Sequence, residues 1–195
     1  MITKIFIDAS KLDTQDRIDK INDVAMEMHT VINSKYFMDQ VMLMRTYGER
    51  SKFKDLSNRE IYNILKAGSE EINPGEDYKW DIFIDDYYSF KSVIGYTMRN
   101  IKTIFVNTKF FDSRHRALIG SNIVHEQSHK LGFNHDFRST PERPFSVSYQ
   151  LNKAYEKSYS RIFNTYPEFK TKYKRSWKSL WFKKVSYQVE IWPEY

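Results

Sequence analysis

The 195-residue chain predicts an α+β fold in one domain. Its length suits a single core. Apolar residues alternate in some segments and recur at helical spacing in others. A first strand and helix are followed by several strands and then one long helix. Taking the elements in order, residues 2–8 are β-branched and aromatic and end in Asp8-Ala9-Ser10, which reads as a strand. Ile18, Ile21, Val24, Ala25, Met28, Val31 and Ile32 predict an amphipathic helix over about 13–33. The run Val41-Met42-Leu43-Met44 reads as a second strand. Ser57 suits the N-cap of a short helix holding Ile61, Ile64 and Leu65 and closed by Gly68. Asn73-Pro74-Gly75 signals a turn.

Three more strands are expected at 79–85, where Trp80, Ile82 and Ile84 alternate, at 91–97 and at 101–107. A long helix follows over about 113–131, with Ala117, Leu118, Ile123, Val124 and Leu131 as apolar positions, and Gly132 stands where a left-handed cap ends a helix. Ser139-Thr140-Pro141 and Arg143-Pro144 are loop signals, and a helical stretch is expected near 150–164.

Composition narrows the function classes. With 41% hydrophobic and 16% aromatic residues, and only 6 Gly and 5 Pro, the chain is neither disordered nor fibrous. Its apolar runs fall far short of the roughly 18 residues that span a bilayer. No Sec-type leader is visible. The expected location is therefore the cytoplasm, with export by another route or origin as a fragment of a longer chain as alternatives. Cys is absent, which excludes disulfides, thiolate metal sites and a cysteine nucleophile together.

The net charge of +6 is concentrated in residues 150–195, with ten basic and four acidic residues, leaving residues 1–149 neutral. Twelve aromatics, among them Trp177, Trp181, Phe182 and Trp192, interleave with those cations. Such a segment can track nucleic acid while stacking bases, or lie on an anionic membrane surface. It can equally be a C-terminal lobe with an aromatic core and a wet lysine face.

The chemistry is concentrated at His125-Glu126-Gln127-Ser128-His129. Two His four residues apart share one helix face, one turn apart, so both imidazoles can grip one metal ion. Glu126 between them can handle a metal-bound water. Gly132 lets the chain turn sharply, and His135 can return as a third ligand. Three neutral imidazoles leave a fourth position open, as a catalytic zinc requires. In shuffled chains of this composition the full spacing arises on the order of once in 10⁵.

The pattern His125-Glu126-x-x-His129-x-x-Gly132-x-x-His135-Asp136 resembles the signature of metzincin zinc peptidases. An Asp after the third His is similar to the adamalysin and reprolysin branch. The resemblance implies a twisted mixed β-sheet with two long helices in an N-terminal subdomain, 1–135. It implies a smaller, irregular or helical C-terminal subdomain, 136–195, and an active-site cleft between the two. It further implies one catalytic Zn²⁺ on His125, His129 and His135, and hydrolysis of peptide bonds by a zinc-activated water with Glu126 as general base. Protein or peptide substrates would lie antiparallel to an exposed edge strand, for which 93–97 is the candidate.

Downstream the pattern departs from the family, because no Met follows Met98. In Phe145-Ser146-Val147-Ser148-Tyr149, Val147 takes the place of the Met-turn methionine. Tyr149 matches the tyrosine that in some branches ligates zinc and supports the oxyanion. A monomer without a membrane span is expected, and His29 and His115 receive no role. The alternative is a protein that binds nucleic acid or another anionic partner through 150–195 and keeps a structural or inactive zinc site.

Overall fold

Four strands join into one mixed sheet, and two of them bury alternating apolar residues in a common core. The computed structural model describes residues 2–47, 53, 55–71, 75–98, 101–169 and 187–191, with 165–169 and 187–191 described by backbone alone. The elements run β1 (Lys4–Asp8), α1 (Gln15–Ile32), α2 (Lys35–Met42), α3 (Asn58–Ala67), β2 (Lys79–Tyr87), β3 (Gly95–Thr97) and β4 (Thr103–Asn107). After them come α4 (Thr108–Phe111), α5 (Arg116–Lys130), α6 (Val147–Phe163), β5 (Thr165–Phe169) and β6 (Tyr187–Ile191). The sheet order is β1-β2-β4-β3, parallel except for β3, which pairs antiparallel with β4. The architecture is α+β, as expected. Among the described residues no helix is long and apolar enough to cross a membrane.

Local chemistry explains the element boundaries. Thr14 caps α1 by accepting from the Arg17 N–H, and Ile21, Val24, Met28, Val31 and Ile32 form its buried stripe. Ser57 and Glu60 form a capping box that starts α3. On β2, Trp80, Ile82 and Ile84 are buried in alternation, and the Trp80 indole donates to the Leu65 carbonyl at 2.8 Å. One continuous core runs from Ala9 on the β1 side to Tyr155 and Tyr159 on α6.

Three expectations are corrected. Val41-Met42-Leu43-Met44 is not a strand: Val41 and Met42 end helix α2, whose N-cap Ser34 accepts from the Phe37 N–H. Phe37 and Val41, four apart, are both buried; a four-residue apolar run alone does not distinguish the two structures. The strand expected at 91–97 shrinks to Gly95–Thr97. The Asn107 side chain instead ties down the loop before it, donating to the carbonyls of Ser89 and Val93 at 3.0 and 2.9 Å. The C-terminal part also contains a strand pair, β5 with β6, in register from Thr165↔Ile191 to Phe169↔Tyr187. Pro167 within β5 conceals that strand in the sequence. The turn signal at Asn73-Pro74 and the basic, aromatic segment with Trp177, Trp181, Phe182 and Trp192 lie outside the described residues.

Candidate metal centre

Helix α5 is the spine of the site. His115 caps its start, with Nδ1 accepting from the Ala117 N–H at 3.2 Å. The helix is buried on nearly every side, and neighbouring segments hold some of its polar groups. Gln127 donates to the Glu70 carboxylate at 2.8 Å, and the Lys130 carbonyl accepts from the Glu71 N–H at 2.8 Å. The helix ends at Gly132, whose φ of +99° suits a residue without a Cβ. The chain then folds back, with the Phe133 N–H donating to the Ser128 carbonyl at 3.1 Å.

That reversal builds the histidine cluster. Ring centroids are 5.1 Å apart for His125 and His129, 5.2 Å for His125 and His135, and 4.8 Å for His129 and His135. Their ligand nitrogens all lie within 4.8 Å of one another. His129 Nδ1 is 2.8 Å from the Phe133 carbonyl, and His135 Nδ1 is 2.8 Å from the Asp136 carbonyl. A carbonyl only accepts, so both Nδ1 atoms carry the proton and each Nε2 presents a lone pair. This outer support is what orients imidazoles on a metal.

His135 Nε2 lies 3.2 Å from His125 Nε2, near the roughly 3.3 Å that two nitrogens span on a tetrahedral zinc. Burial, with His129 and His135 nearby, holds the His125 imidazole well below its ordinary pKa. It is therefore neutral, as a ligand must be. The donor set fits zinc: three borderline imidazole nitrogens, no thiolate and an open fourth direction.

Glu126 is buried, and its carboxyl is pushed up to about 7 by that burial, against the Thr97 N–H that hydrogen-bonds it. Edge strand β3 thus anchors the carboxylate. Gly95 permits the close approach of β3 to α5: a Cβ there would lie 2.6 Å from Asn122 Nδ2 and 2.9 Å from the Phe105 carbonyl oxygen.

Tyr149 sits in the first turn of α6 with its ring 4.7 Å from His125 and 4.9 Å from His135. The hydroxyls of Ser148 and Ser128 share a 2.6 Å hydrogen bond that fastens α6 to α5. Val147 is buried at the first position of α6, directly after a 3-10 turn at Arg143–Phe145. The four motif residues and Tyr149 therefore share one neighbourhood, with Val147 in the adjoining core.

The chain was compared with protein-family models, curated proteins and solved structures. Nothing matches.

One residue of the site escapes the sequence. The Arg143 guanidinium lies over the Tyr149 ring, 5.2 Å from its centroid. It reads as an ordinary loop residue before proline, and no spacing rule links it to His135.

Proposed function

We propose that the chain is a zinc-dependent endopeptidase of the metzincin type, with the cleft between an upper part, 1–135, and a lower part, 136–195. One observation carries this reading: three imidazoles converge, two of them with Nδ1 bonded to main-chain carbonyls, on the helix that also bears a buried glutamate. His125, His129 and His135 would hold the ion, and Zn²⁺ bound there supplies Lewis acidity toward water and the scissile carbonyl.

The remaining steps belong to the protein. Glu126 takes the proton of the attacking water and returns it to the leaving amine. Tyr149 donates a hydrogen bond from its phenolic O–H to the developing oxyanion, a contact worth about 2.7–4 kcal/mol in comparable sites. The substrate strand would lie along β3, the outermost strand of the sheet, a mode that grips main chain with little sequence choice.

Digestion of a peptide library by the zinc-loaded chain tests the proposal. Wild type cleaves, whereas Glu126→Gln, which preserves volume, retains zinc and loses about 10²–10⁴-fold in turnover. Equal turnover in the two would contradict the role of Glu126.

A further inference from the structure

We propose that Arg143 is a substrate-binding residue that receives a carboxylate next to the scissile bond. This rests on the peptidase reading and names its substrate class. Two arginines elsewhere among the described residues, Arg17 and Arg116, spend their charge on carboxylates. Arg17 pairs with Asp86 at 2.9 Å and Asp112 at 2.7 Å, and Arg116 pairs with Glu27 at 3.1 Å. Arg143 does otherwise: its Nη1 donates to the Phe137 carbonyl at 3.2 Å and its Cζ sits over the Tyr149 ring. Its Nε is buried and has no hydrogen-bond partner among the described residues.

The side chain is held in place. The Arg143 main-chain N–H bonds the Thr140 carbonyl and hydroxyl, both at 3.3 Å, and the Phe137 carbonyl fixes one arm of the fork. Its positive charge reaches His125. A cation kept over the tyrosine ring that packs on His125 and His135, with a desolvated donor unspent, is electrostatically unfavourable until an anion arrives. The guanidinium fork matches a carboxylate in a planar, two-bond geometry. The carboxylate can come from an acidic side chain or from a substrate's free C-terminus.

Binding to the full-length chain, treated with EDTA and followed by NMR signals of His125 and Tyr149, separates these sources. Three probes suffice: N-acetylglutamine with a free α-carboxylate, N-acetylglutamic acid α-amide with a side-chain carboxylate, and N-acetylglutamine amide with neither. At least one charged probe is expected to bind about tenfold more tightly than the neutral one. Arg143→Ala abolishes that margin with unchanged circular dichroism, and Arg143→Lys recovers only part of it. Equal binding of all probes, no binding by wild type, or an unaltered Arg143→Ala would overturn the proposal. Digestion by the zinc-loaded chain separates the two levels. Cleavage with no carboxylate preference overturns the role of Arg143 alone. Absence of both zinc uptake and cleavage removes the peptidase reading, and with it the substrate role.

Discussion

Helices α1 and α5 differ in what they bury. In α1, 5 of 18 residues are buried and all five are apolar. In α5, 12 of 15 are buried, and Ser121, His125, Glu126, Gln127, Ser128 and Lys130 are among them. Helix α1 is an amphipathic support whose polar face makes surface contacts, such as Lys20 Nζ donating to the Phe111 carbonyl at 2.9 Å. Helix α5 carries polar groups into the interior, where each must find a partner or lower stability. The difference separates a stabilising element from the one proposed to carry chemistry: changes in α1 should alter stability and spare the candidate site, and changes around α5 should alter that site as well as stability.

Ile21→Ala offers the largest test of the α1 half. Ile21 is fully buried, so its truncation should cost about 2–5 kcal/mol in urea unfolding. Zinc stoichiometry of the folded protein should not change; a variant that folds normally yet loses zinc would break the comparison. Next is Gly95→Ala, beside α5. Overpacking against Asn122 should cost about 1–3 kcal/mol. It should also lower turnover with zinc retained, since β3 can no longer hold Glu126 in place. Unchanged kcat in that variant would show that the Thr97 anchor does not matter. The smallest effect is Thr14→Ala at the α1 N-cap, about 0.5–2 kcal/mol by thermal unfolding with turnover intact.

The two helices were also unequally legible in the sequence. The α1 stripe is visible because apolar residues alone recur at helical spacing. The apolar pattern of α5 shows a helix, but the function proposed for it is legible only through the spacing of His125, Glu126, His129, Gly132 and His135. That spacing works because those residues occupy two successive turns of one helix, its cap and the short reversal that follows, so sequence distance fixes spatial distance. Arg143, and Glu70 holding Gln127, arrive from other segments, and nothing local encodes their approach. Helix α2 was hidden for a different reason: Phe37 and Val41 mark a short face that an apolar run at 41–44 outweighs. In β3, the side chain of a single distant residue, Asn107, decides where pairing begins.

The central claim is that three imidazoles hold one zinc ion. Elemental analysis of full-length protein purified without chelator and supplied with zinc, beside His129→Ala, tests it most directly. About one zinc per chain in wild type, lost in the variant while its circular dichroism is unchanged, is the expected result. A wild-type chain that takes up no zinc, or a His129→Ala chain that keeps it, would contradict the account.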